Sequence, residues 1–192
     1  MSFSPDQPAQ QPALRFYPTD GLVAPSAWAA LARAARDFAD AHIHLEHERA
    51  AALHNLRDSA AAHAALEEAL FPDARSEDAG STPGRLVLHS STPTAQPPTG
   101  TNPAGPAAEA MPIGWLADRT TAGRVDLGAG LHRGLLPAEY AELIAHLEVP
   151  ISITPWRGLI FHDLAEGDAE VVLRVLAPRG FIFDINSPLL AD

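Results

Sequence analysis

The chain has 192 residues, 46% of them hydrophobic, and a formal charge of −11 in which all 13 basic residues are arginine. That length fits one compact domain or two small halves sharing a core. The acidity argues against a nucleic-acid or anionic-membrane partner, and the absence of cysteine excludes disulfides, thiolate-held zinc and a self-held iron–sulfur cluster.

Residues 1–13 are rich in Pro and Gln and are expected to be disordered. They have no basic start and no apolar run, so no signal peptide is expected. No run of about 18 apolar residues occurs anywhere, and a cytoplasmic protein is expected. PALRFYP reads as a short strand ending at the Asp20-Gly21 turn, with no strand expected directly after it. Ser26 is the expected N-cap of a helix that lines up Trp28, Leu31, Ala35 and Phe38. Two short strands then flank the polar step EHER, and Asp58 or Ser59 caps a helix running to about Leu70. Pro72 to Met111 is dominated by Pro, Gly, Thr and Ala and reads as a linker, with RLVLH (85–89) the one strand inside it. PIGWLAD and RVDLGAGL read as strands, the glycines of the second marking strand bends. Pro137 starts a helix carrying Tyr140, Leu143, Ile144 and Leu147 on one stripe, and two further strands follow it. A helix from about Glu166 to Leu176 and the strand FIFD complete the chain.

Each half thus reads strand, helix, strand, strand, helix. That implies an α+β fold in which two antiparallel sheets, joined about a pseudo-twofold axis, carry their helices on one side. The expected units are a first half at 14–71, the linker at 72–111 and a second half at 112–192.

An internal echo supports duplication. ISITPWRGLIFHDL from Ile151 repeats the pattern of IHLEHERAAALHNL from Ile43, 108 positions earlier, and matches Arg157 with Arg49 and His162 with His54. Pro155 and Trp156 stiffen the turn before Arg157, and Gly158 removes bulk beside it. A guanidinium presented so rigidly suits a carboxylate or another oxyanion. The two matched histidines near strand ends are candidate polar contacts of the same surface. His42, His44 and His47 lie close in sequence, but no second ligand cluster accompanies them and no metal site is expected. No GxSxG, HExxH or P-loop occurs, and no catalytic residue is assigned.

PIGWL, RVDLGAGLHRGLLPAEYAEL, ISITPWRGLI and VLRVLAPRGFIFDINSP together resemble the ferredoxin-like half-domain of the sulfite/nitrite reductase superfamily, with precorrin-3B synthases the nearest branch. The first half is similar to that superfamily's other half-domain. The resemblance implies two ferredoxin-like half-domains that, in relatives, sit against domains holding sirohaem and a 4Fe–4S cluster. It also implies that basic residues of the repeated unit face an anionic tetrapyrrole pocket, which places Arg157 there. In the first half the family register sets the arginine at Glu48, whereas the internal repeat sets it at Arg49. The stretch ends at Asp192, ahead of where the cluster cysteines would follow, and no haem domain separates the halves.

The expectation is therefore a truncated, non-catalytic relative of enzymes of cobalamin biosynthesis. It would bind a tetrapyrrole or a partner through Arg157, Arg49, His162 and His54, and hold no cofactor by itself. The alternatives are an oxidoreductase that takes sirohaem and 4Fe–4S from a separate haem-carrying subunit, and a decayed fragment without activity. A sheet face left bare by the missing domains would be apolar and would favour a homodimer or a partner complex.

Overall fold

The computed structural model describes residues 12–18, 20–71, 85–89, 111–116 and 123–190. Residues 1–11 of the N-terminal segment expected to be disordered and most of the 72–111 linker lie outside the described residues, while Ala13 at the end of that segment is buried and opens a strand.

The first half runs β1 (Ala13–Tyr17), β2 (Leu22–Val23), α1 (Pro25–Phe38), β3 (His42–Leu45), β4 (Ala51–Leu53), α2 (Ser59–Leu70) and β5 (Arg85–His89). The second runs β6 (Gly114–Leu116), β7 (Arg124–Leu131), β8 (Leu135–Pro137), α3 (Ala138–Ala145), β9 (Ile151–Ile153), β10 (Leu159–Ala165), α4 (Glu166–Leu176) and β11 (Phe181–Ile182). The fold is α+β, with antiparallel pairing throughout the two sheets.

One sheet has the order β5-β1-β4-β3-β8, and the other β11-β7-β10-β9-β2 with β6 also on β7. The two orders match strand for strand when β1 is set against β7, β3 against β9 and β4 against β10. Each half also lends the strand before its first helix to the other sheet: β2 pairs with β9, and β8 pairs with β3. A strand therefore does follow the Asp20-Gly21 turn, and another precedes α3, although both are too short for a period-2 signal. RLVLH is likewise the edge strand of the first sheet, paired along its whole length with β1, and so belongs to the first half.

The inward face of the strands carries Leu14, Phe16, Ile43, Leu45, Leu127, Ile151 and Phe161, all within a single core cluster shared by both halves. α1 packs on α2, α3 and β3, while α4 covers β7 and β10. Trp28, fully buried, anchors α1 in that core. Ser26 is not the N-cap of α1. Ala24 holds that position without a side-chain bond, because Pro25 opens the helix with its φ preset and no N–H to satisfy. α2 is capped by Asp58, whose carboxylate accepts the Ala61 N–H at 2.9 Å.

The outward face is mixed rather than uniformly apolar, since Ala52, Ile160 and the exposed Leu22 share it with polar side chains. Its polar members are Arg15, His44, Ser152 and His162, with Asp126 buried beneath them at 7% exposure. The glycines of β7 are places of close approach, not bends. A Cβ on Gly128 would stand 1.8 Å from the Pro112 carbonyl oxygen, and one on Gly130 would stand 2.3 Å from Leu190.

Candidate functional site

Two matched turns carry the candidate arginines. From Glu46 to Ala50 the chain closes with Glu46 N–H on the Ala50 carbonyl (2.9 Å) and Arg49 N–H on the Glu46 carbonyl (3.1 Å). From Thr154 to Gly158 the same bonds recur, at 2.9 and 3.1 Å. Arg49 and Arg157 both have φ of 60°, and the residues after the matched histidines, Asn55 and Asp163, both have φ of 55°. The structural register is thus the one in which Arg49, not Glu48, is the counterpart of Arg157. The second turn is the tighter of the two, because the buried Thr154 hydroxyl also accepts the Gly158 N–H at 3.0 Å.

Each turn leans across to the opposite half, so the four candidate residues divide into two clefts. Arg157 and His54 line a cleft of about 420 Å³ together with Arg15, Glu46, His47 and Arg133. Arg49 and His162 line another of about 500 Å³ together with Leu22, Ser152, Pro155 and Trp156. Neither histidine shares a cleft with the arginine of its own half.

In the first cleft, Arg157 donates from Nε (2.9 Å) and from its NH2 nitrogen (2.6 Å) to His47 Nε2. His47 Nδ1 in turn lies 2.8 Å from the Pro155 carbonyl. A carbonyl only accepts and a guanidinium only donates, so His47 is neutral with its proton on Nδ1. Gly134 forms the floor: a Cβ there would meet Arg157 Cβ and the Leu45 carbonyl oxygen, both at 2.7 Å. Its φ of +68° suits glycine, and the preceding Arg133 at φ 53° is turned toward the same opening. Among the described residues Arg133 has no ion-pair or hydrogen-bond partner.

The carboxylates nearby are committed. Arg15 Nε bonds Glu46 Oε2 at 2.6 Å, and His54 Nε2 is 3.5 Å from Glu46 Oε1. Burial opposes ionisation of Glu46, but these two partners outweigh it and hold the carboxyl at about 2. The same pair raises the affinity of Arg15 for its proton. Glu48 accepts from the Tyr17 hydroxyl at 3.2 Å. Behind them His44 stacks edge-on to His54, with ring centroids 4.3 Å apart, and reaches Asp40 at 3.2 Å. Burial and the neighbouring His54 lower the pKa of His44. Asp40 stays low in spite of its burial because Asn55, His44 and the His42 N–H all donate to it. His42 and His44 share a strand face, as their spacing requires, and both serve this Asp40 network. Among the described residues no group of three His, Asp or Glu side chains could hold a metal ion.

In the second cleft, His162 lies between Ser152 (2.8 Å) and Asp126 (2.9 Å). Neither Ser152 nor Asp126 was singled out by sequence, because no spacing rule joins residues on three separate strands. The available signal was indirect: Ser152 stands where the repeat has His44.

A 4Fe–4S cluster does not fit this chain, which has no cysteine to hold one. No protein-family model matches the chain, and no curated protein matches it.

Proposed function

We propose that the first cleft is a non-catalytic binding site for a polycarboxylate anion, a tetrapyrrole in particular, held through Arg157 and Arg133. One observation carries the reading: these two arginines line one opening between the halves, and neither is paired with a carboxylate, while the acids beside them already have partners. Arg157 spends its contacts on a neutral histidine, which leaves further N–H donors and its full charge for a planar anion. Arg133, on the β7–β8 connection, supplies a second charge from a different segment. The resemblance to the sulfite/nitrite reductase half-domain supports a tetrapyrrole as the anion, since the matched arginine of that superfamily faces such a group.

Matching strand orders, the reciprocal loan of β2 and β8, and the paired turns support a duplicated ferredoxin-like half-domain related by a pseudo-twofold axis. In this reading the axis passes between the clefts, and one copy of the site kept its paired arginines.

Titration with sirohaem and with uroporphyrin, followed at the Soret band, tests the binding. A saturable shift is expected below tens of micromolar ligand. Arg157→Ala should weaken it by about 1.5–3 kcal/mol, the worth of a hydrogen bond to a charged group. No shift at that concentration, or equal binding by the variant, overturns the assignment.

A further inference from the structure

The second cleft holds an arrangement that anion binding at the first does not use. His162 Nδ1 is 2.9 Å from Asp126 Oδ2, and His162 Nε2 is 2.8 Å from Ser152 Oγ. A carboxylate brings no proton to its bond, so Nδ1 carries the hydrogen, and in the neutral imidazole Nε2 is then the acceptor of the serine hydroxyl. This is the order of protons that general-base activation of a serine requires.

The local fold fixes the arrangement. Ser152 on β9 is paired with Ile160 on β10, so Ser152 and His162 point from the same face of neighbouring strands. A bulge between Phe161 and Leu164 inserts an extra residue opposite β7. It frees the Asp163 N–H from the ladder, and that N–H donates to Asp126 Oδ1 at 3.0 Å. Asp126, its side chain 9% exposed, is thereby held at both oxygens and aimed at the imidazole. Ser152 and His162 open into a cleft of about 500 Å³ that Arg49 also lines, and Arg49 has no hydrogen-bond or ion-pair partner among the described residues.

We infer that this cleft is a hydrolytic site for carboxylic esters that carry a second, anionic group. Ser152 Oγ attacks the acyl carbon while its proton passes to His162 Nε2. The bond to the alcohol oxygen breaks, and His162 returns that proton to the departing alcohol. Water then attacks the acyl-serine, His162 again taking the proton and passing it to Ser152 Oγ as the acid leaves. The net reaction is ester and water to acid and alcohol. Ser152 and His162 are catalytic residues; Asp126 is a positioning residue that holds the tautomer; Arg49 receives the anionic group.

The full chain is treated with a fluorophosphonate and mapped by mass spectrometry, and assayed with p-nitrophenyl acetate and mono-p-nitrophenyl succinate. Expected are a single label on Ser152 and faster turnover of the succinate. Ser152→Ala removes only a hydroxyl at the cleft and should abolish the label and lower turnover at least about 100-fold. Asp126→Asn should slow labelling by about 10²–10⁴-fold and remove a low-field imidazole N–H proton resonance that Ser152→Ala retains. Absence of label on Ser152, or equal turnover by Ser152→Ala, overturns the hydrolytic site. Labelling of Asp126→Asn at the parent rate overturns the role of Asp126. Equal rates on the two esters, unaffected by Arg49→Ala, overturn the anionic group.

Discussion

At Arg49 and at Arg157 the backbone passes through the same left-handed conformation, with φ of 60° at both, yet only Arg157 finds a side-chain partner. The cause is one difference between the turns. The first carries His47 where the second carries Pro155, and His47 reaches across to both the Pro155 carbonyl and the Arg157 guanidinium. Proline offers Arg49 no such acceptor in return. The histidines diverge in the same way: His54 sits beside Glu46 and His44, and His162 sits between Ser152 and Asp126. A common backbone thus yields an arginine cleft with its acids neutralised in one place and a hydrogen-bonded serine in the other. The matched backbone fixes where side chains project, and single residue differences decide what they meet.

The strongest break in that comparison is at the outward face of the first strands. Arg15 pairs with Ala52 in one sheet, and Gly128 pairs with Ile160 at the equivalent place in the other. Arg15 has room to reach Glu46, whereas Gly128 lies under the Pro112 carbonyl, 1.8 Å from where a Cβ would be. The obstacle is backbone and cannot rotate away. Gly128→Ala should therefore cost about 3 kcal/mol, the upper end of ordinary overpacking, read as a lower denaturant midpoint. A midpoint like the parent's would mean that Pro112 does not cover β7.

The next contrast is between Glu46 and its counterpart Thr154. Glu46 has its carboxyl lowered from 4.5 to about 2, so its contribution to stability is fully present above 4.5 and is lost as the pH falls through 2. Glu46→Gln should lower stability by about 2 kcal/mol at neutral pH, with the deficit shrinking to nothing near the bottom of that window. Thr154 works through a neutral hydroxyl on the Gly158 N–H, so the second turn should show no such pH dependence. Urea titrations of parent and variant across that pH range give the comparison. A deficit independent of pH would rule out the carboxylate charge as its source.

These contrasts separate what was legible in the residues from what was not. β7, α3, α4 and the strand at 85–89 announce themselves, because a period of 2 or 3.6 persists long enough to be read. The turn pair was legible too, as two copies of one pattern. β2 and β8 were not, since two or three residues carry no period and their partners lie in the opposite half. The glycines of β7 looked like bends for want of knowing that Pro112 and Leu190 rest on them. The four candidate residues could be named from the repeat, but their sorting into two clefts depends on the strand exchange. The bonds of His162 depend further on a bulge that only tertiary structure creates.

The finest test of the duplicated turns replaces each arginine by glycine. A non-glycine residue in the left-handed region costs about 1 kcal/mol, part of which glycine gives back through its greater freedom in the unfolded chain. At Arg49, where no partner is lost, Arg49→Gly should stabilise the protein by about 0.5 kcal/mol. At Arg157 the same relief is set against the loss of its contact to the single lone pair of His47 Nε2, worth about 1 kcal/mol, so Arg157→Gly should be destabilised by about 0.5 kcal/mol. The backbone term is common to both variants and cancels in the difference between them. What remains measures the His47–Arg157 contact alone, and equal midpoints for the two variants would show that the contact contributes nothing in solution.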